Sequence, residues 1–96
     1  MDVDIVKKAI TAERLAEDME LDLLELFPKN RELRVQAVRL LMHLEESGPT
    51  KQLALAEALD MEPYALSRLL TKLELRRYVT RRRAGNGKIV GLAGKR

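Results

Sequence analysis

Basic side chains surround a short turn-like stretch near the end of the chain. Arg81, Arg82 and Arg83 precede this stretch, and Lys88 follows it. An arginine keeps its charge at every physiological pH, and its planar fork of donors matches a phosphate group. We therefore expect these four side chains to contact a phosphate-rich polyanion, although strand alternation would divide the three arginines between two faces.

Polar side chains recur at spacings of three and four residues upstream of the arginines. They are Tyr64, Ser67, Arg68, Thr71 and Lys72. Side chains with this spacing lie on one face of a helix. An arginine can read a guanine through two hydrogen bonds, a contact worth roughly 1–3 kcal/mol of discrimination, so Arg68 is predicted to contact a base if the polyanion is a nucleic acid. Thr71 is expected to offer its methyl group to a thymine or its hydroxyl to a phosphate, and Lys72 to bind a phosphate. The alternative is a polar face that only keeps the surface soluble.

The sequence offers little for catalysis. It contains one histidine, no cysteine and two serines, so a nucleophile with a neighbouring base is hard to assemble. The stretch Gly85-Asn86-Gly87-Lys88 is shorter than a phosphate-binding P-loop and favours a hairpin turn. We expect a protein that is not an enzyme and that has no metal site and no cofactor. The three aromatic residues give no sign of a small-molecule pocket.

Charge is distributed unevenly along the 96 residues. Residues 1–27 carry three basic and eight acidic side chains, whereas residues 28–96 carry fifteen basic and seven acidic ones. This division indicates an acidic segment with a separate role and a basic segment that binds a polyanion. No apolar run is long enough to span a membrane and no cysteine is present, so we expect a cytoplasmic, nucleoid-associated protein. The scarcity of asparagine and glutamine is typical of a thermophile.

Apolar side chains recur at alternating spacings of four and three residues in the N-terminal segment. The positions are Ile5, Ala9, Ala12, Ala16, Met19, Leu23 and Leu26. This heptad spacing predicts a helix over residues 2–26 that ends at Phe27-Pro28. We interpret residues 1–27 as a dimerisation helix, distinct from a domain over residues 28–96. The alternative is a helix that folds back on its own domain.

Three further helices are predicted in the second domain. Apolar positions with helical spacing indicate helices over residues 30–46, 51–59 and 63–76. Thr50 is expected to cap the second of these three helices, and Asp60 to lie in the tight turn that precedes the last one. Two helices joined by such a short turn form a helix–turn–helix unit.

The apolar period changes from helical to alternating after the last helix. Residues 78–83 and 88–93 are predicted to pair as two strands of a hairpin, with Val79, Val90 and Leu92 facing the core. The predicted fold class is therefore mainly α with a small β-hairpin. The order of its elements is that of a winged helix–turn–helix domain preceded by a long N-terminal helix.

The run LAEALDMEPYALSRLLTKLELRRYVTRRR resembles the MarR-type transcriptional regulators. The matching residues are Leu55-Ala56-Glu57, Pro63, Ser67-Arg68, Leu73-Glu74, Val79 and, at the wing tip, Asn86-Gly87-Lys88. The resemblance covers about residues 31–93. It implies that a recognition helix over residues 63–76 enters the major groove of DNA and that the wing over residues 81–88 contacts an adjacent backbone or minor groove.

Three departures from the family pattern affect these expectations. Arg77 occupies the position of the family's exit glycine, so either the turn differs or the arginine is strained. Glu62 replaces the usual serine cap of the recognition helix. The family's chains continue into helices that help to build a dimer, whereas this sequence ends at Arg96. The helix over residues 2–26 is therefore expected to provide most of a homodimer contact.

Together these patterns predict a homodimeric transcriptional regulator that binds double-stranded DNA, without a membrane or small-molecule partner. Two alternatives remain open. One is an architectural protein that uses the same basic face on DNA of any sequence. The other is a winged-helix module that binds another protein within a transcription or replication assembly.

Overall fold

The computed structural model describes residues 19–93. The chain divides into two units, with the boundary after Arg31. In the first unit residues 19–26 are helical (α1), and the backbone N–H of Phe27 donates to the Leu23 carbonyl at 2.9 Å. The predicted end of this helix at Phe27-Pro28 is confirmed. The predicted seam positions Ile5, Ala9, Ala12 and Ala16 lie outside the described residues.

The predicted helices of the second domain are confirmed, with ends that shift by one residue or none. Helix α2 is Arg31–Ser47, α3 is Gln52–Ala58 and α4 is Pro63–Leu75. Their buried side chains are almost all leucine or alanine at helical spacing, which is why the three helices pack on one another and leave their polar faces outside. The core leucines of α4 are Leu66, Leu69, Leu70 and Leu73.

Helices α2 and α3 end in backbone turns that place one residue in the left-handed region. Gly48 (φ = 74°) ends α2, and its N–H donates to the Leu44 carbonyl. Asp60 (φ = 51°) follows α3, where the N–H groups of Asp60 and Met61 donate to Glu57 and Ala56. These hydrogen bonds satisfy carbonyls that a helix end leaves unpaired. The prediction that Asp60 forms a tight left-handed turn is confirmed.

Thr50 does not cap α3, contrary to the prediction. It belongs to a two-residue strand, Thr50–Lys51 (β1), and its hydroxyl donates to the Gly48 carbonyl at 2.9 Å. Lys51 takes the capping position, with an extended backbone and no side-chain cap. Pairing with Val90 of a later strand holds Thr50 in an extended conformation, and a two-residue strand is too short to show a period in the sequence.

The hairpin is confirmed, and β1 extends it to three strands. Strand β2 is Val79–Ala84, β3 is Gly87–Leu92, and the antiparallel order is β1-β3-β2. The two loop residues are Gly85, with φ = 63°, and Asn86. A positive φ at the first loop residue alone is the pattern of a type II′ turn, whose twist suits a hairpin.

The core of this unit contains the predicted strand residues with one exception. Val79 and Val90 are buried, whereas Leu92 is 43% exposed. Strand alternation places Leu92 on the same face as Val90, but it is the last residue of β3 and lies where the core ends. Within residues 19–93 no polar or charged residue is buried, and no helix is long and apolar enough to cross a membrane.

Candidate nucleic-acid interface

One face of α4 carries the polar side chains that the sequence singled out. Tyr64 is 68% exposed, Arg68, Thr71 and Lys72 are exposed, and Ser67 is partly exposed. The four buried leucines of α4 occupy the other face. Packing of the leucines therefore fixes which side of the helix meets solvent, and an α-helix with its side chains has the width of the major groove.

Tyr64 and Arg68 contact each other one helical turn apart. The centre of the Arg68 guanidinium lies over the Tyr64 ring, 5.9 Å from the ring centroid. A cation over an aromatic face is attracted by the ring quadrupole, with an energy of about 0.5–1 kcal/mol at an exposed site. The ring thus restricts the orientations of the arginine before any ligand arrives. Sequence reasoning selected both residues but did not predict their contact.

The basic side chains of the wing lie on two faces of the hairpin. Arg81 pairs with Val90, Arg82 with Ile89, and Arg83 with Lys88. Because directly paired residues share a face, Arg81, Arg83 and Lys88 lie on one side of the sheet and Arg82 on the other. Arg82, Arg83 and Lys88 are exposed. The expectation that the three arginines divide between two faces is therefore confirmed.

Arg81 differs from the other wing arginines, because its side chain is only 11% exposed and lies against α4. Its Nη2 atom donates to Glu74 Oε1 at 2.9 Å and to Thr71 Oγ1 at 3.0 Å. Its Nη1 atom makes a longer contact of 3.4 Å with Ser67 Oγ. The structure thus brings three of the predicted DNA-binding residues, Ser67, Thr71 and Arg81, into one cluster.

Glu74 is the residue of this cluster that the sequence did not assign to the site. It matched the family pattern at the end of the recognition helix, but no role was attached to it. A signal was present, since Glu74 is the single acidic residue between Tyr64 and Arg96 in a segment with ten basic residues. Paired with Arg81, it adds no uncompensated negative charge to the basic surface.

Three positions of the predicted dimer seam lie within the described residues, and they differ in solvent exposure. Leu23 is buried, whereas Met19 and Leu26 are partly exposed. The more exposed leucines of α1 are Leu21 and Leu24, which lie outside the predicted seam. Whether the seam forms an interface between two chains stays a prediction.

Comparison with known proteins connects this geometry to a family. The family model described as "MarR family" matches residues 32–88, more than half of the chain. No curated protein matches the chain. The AntR antimony-specific transcriptional repressor, a solved structure, is 32% identical; the alignment covers 81% of this chain and 67% of that one, with a TM-score of 0.57.

Two other solved structures share the fold at lower identity. RV1404 from Mycobacterium tuberculosis is 21% identical, with a TM-score of 0.57, and the alignment covers 98% of this chain and 65% of that one. Overoxidised AbfR bound to DNA, from Staphylococcus epidermidis, is also 21% identical, with a TM-score of 0.59 and coverage of 95% and 66%. The chain therefore spans slightly less than two thirds of the length of these two proteins.

Proposed function

Because this chain belongs to the MarR family, we propose that it is a transcriptional regulator that binds double-stranded DNA with α4 and the hairpin wing. The exposed polar face of α4, with Arg68 held over Tyr64, is the observation that carries the proposal. AbfR, whose fold is similar, was solved in complex with DNA. That likeness supports DNA as the ligand, and the residues of α4 supply the chemistry.

We place α4 in the major groove, where base edges present a distinct pattern of donors and acceptors for each base pair. Arg68 contacts a base there, and Lys72 binds a phosphate, which positions the helix without reading sequence. Tyr64 contributes by orienting Arg68. The buried leucines of α4 hold the helix firmly on the core, so that the reading face keeps one orientation.

We place the wing on the neighbouring backbone or minor groove. Arg82, Arg83 and Lys88 are exposed near the tip of the hairpin and carry the charge that phosphates attract. An arginine also suits a narrow minor groove, where the negative potential is enhanced. Because Arg81 neutralises the charge of Glu74, this side of the domain stays cationic, which favours the approach of a polyanion.

We further propose that the protein binds DNA as a homodimer through the N-terminal helix. The support is the heptad spacing from Ile5 to Leu26 and the partial exposure of Met19 and Leu26. Two recognition helices related by a twofold axis read an inverted repeat, with half-sites about one helical turn apart.

Selection of bound duplexes from a random pool tests this function. The wild-type protein should enrich an inverted repeat. Arg68→Ala should weaken the base preference at one position in each half-site and leave the other positions unchanged. Arg39→Ala is the matched control, since Arg39 is an exposed arginine of α2 whose side chain donates a hydrogen bond to Gln36 on the same helix. This control should leave the enriched sequence unchanged.

Other outcomes of the selection would contradict the proposal. Tight binding without enrichment would identify an architectural protein that recognises DNA of any sequence. Absence of binding even at low salt would favour a winged-helix module that binds another protein.

A further inference from the structure

The side chain of Arg81 joins β2 to α4 through a cluster of hydrogen bonds. We infer that Arg81 is a positioning residue: together with Glu74 it holds the Thr71 hydroxyl against the protein, so that the Thr71 methyl group reads a thymine. This inference rests on the proposed DNA-binding function. It gives Arg81 a role different from that of Arg82 and Arg83, although the three arginines are consecutive in the sequence.

The hydrogen bonds of Arg81 show that its terminal nitrogens are engaged within the protein. The two N–H groups of Nη2 match two acceptors, Glu74 Oε1 and Thr71 Oγ1. The bond to Glu74 joins two opposite charges, which makes it stronger than a bond between neutral groups. With only 11% of its side chain exposed, Arg81 is far less accessible to a phosphate than Arg82 or Arg83.

The hydroxyl of Thr71 is likewise committed. It donates its single hydrogen to the Ser67 carbonyl at 3.0 Å and accepts a hydrogen bond from Arg81. Phosphate oxygens only accept hydrogen bonds, so a hydroxyl that has already donated its hydrogen is a poor phosphate ligand. This geometry therefore disfavours one of the two roles that the sequence left open for Thr71.

The other role predicted for Thr71 is contact of its methyl group with a thymine. Thr71 is exposed on the reading face of α4, and a threonine side chain in a helix has few χ1 rotamers. Fixing the oxygen by two hydrogen bonds also fixes the methyl group. Thymine is the base that presents a methyl group in the major groove, where apolar side-chain atoms can contact it.

Replacing thymine by deoxyuridine removes only that C5-methyl group and provides the test. Each thymine of the enriched half-site is replaced in turn, and binding is measured for wild type, Thr71→Ser and Thr71→Val. At one position the wild type should lose about fourfold in affinity, as expected for one methyl group taken out of a buried contact. Thr71→Val should keep this loss, and Thr71→Ser should abolish it.

The role of Arg81 is tested by the salt dependence of binding to the same duplex. The paired variant Glu74→Gln/Arg81→Gln removes both charges, so the net charge is unchanged. A positioning role predicts an unchanged slope of log affinity against log salt, together with a weaker preference for thymine over uracil. Arg82→Gln is the matched wing variant and should reduce the slope by about 0.9, as expected for one lost phosphate contact.

Several results would overturn the inference. They are a uracil effect that survives in Thr71→Ser, the absence of any uracil effect in wild type, and a slope for the paired variant that falls as it does for Arg82→Gln. Circular dichroism of each variant should match that of the wild type, which checks that the fold is retained, and Arg81→Lys supplies a conservative second variant. If the selection enriches no sequence, the proposed function fails and this inference fails with it. An enriched site that is insensitive to uracil rejects the inference alone.

Discussion

The arginines of this domain have the same side chain but different surroundings. Arg68 lies over an aromatic ring on an exposed helix face, Arg81 is engaged by a carboxylate and two hydroxyls, and Arg82 is exposed on the opposite face of the hairpin. A guanidinium that is held in place loses less conformational freedom on binding than a free one. If α4 reads DNA as proposed, we therefore expect Tyr64 to contribute to recognition by orienting Arg68, even without contacting a base.

Replacement of Tyr64 tests this effect of the ring on Arg68. Tyr64→Ala should reduce discrimination at the base pair that Arg68 contacts by about twofold to fivefold, because an exposed cation–π contact is worth about 0.5–1 kcal/mol. Tyr64→Phe keeps the aromatic face and is the matched control. Binding of both variants to the enriched site and to a site altered at that base pair measures the effect. Equal behaviour of the two variants would show that the ring does not orient Arg68.

At the scale of the elements, the end of α4 contains a local conflict between sequence and backbone. Arg77 adopts φ = 64°, and the N–H groups of Arg77 and Tyr78 donate to Glu74 and Leu73. This is the hydrogen-bond pattern of a Schellman motif, whose left-handed residue is usually glycine. Of the two readings of Arg77 that the sequence allowed, the structure shows the usual turn with a strained arginine.

Removal of that strain should stabilise the domain. A residue with a side chain in the left-handed region costs roughly 1–2 kcal/mol, part of which glycine loses again through its freedom in the unfolded chain. Arg77→Gly should therefore raise the free energy of unfolding by about 0.5–1 kcal/mol, measured by urea denaturation without DNA. Asp60→Gly is the comparison and should gain less, since aspartate tolerates this region better. A lower stability of Arg77→Gly would contradict the interpretation.

At the scale of the whole molecule, the predicted homodimer depends on the N-terminal helix. Sedimentation equilibrium of Met19→Asp and Leu21→Asp tests the predicted seam. Met19 belongs to the seam, whereas Leu21 is 67% exposed on the same helix but lies outside it. A carboxylate buried in the interface without a partner is costly, so Met19→Asp should weaken the dimer by at least about tenfold.

The control variant Leu21→Asp should leave the association unchanged. A larger effect of Leu21→Asp than of Met19→Asp would place the interface on the other face of α1. A wild-type protein that stays monomeric at all concentrations would reject the dimer itself.

Much of this domain followed from local sequence patterns alone. The leucines of α4 recur with the helical period, so their burial was predictable, and the hairpin turn was marked by its glycines and asparagine. The left-handed turn at Asp60 was also predicted from residue type, and strain at Arg77 was one of the two alternatives that the sequence left open. These features depend on neighbours within a few positions along the chain, and such contacts are encoded by spacing.

Other features were decided only when distant segments met. Thr50 matched the pattern of a helix cap, but pairing with Val90 made it part of a strand. Leu92 fits the alternating pattern of β3 and was predicted to face the core, but it lies past the end of the core and is partly exposed to solvent. Arg81 stood in a row of three arginines, and only the packing of β2 against α4 placed it beside Glu74 and Thr71. Sequence spacing determines which face a side chain occupies, whereas tertiary packing determines what that face contacts.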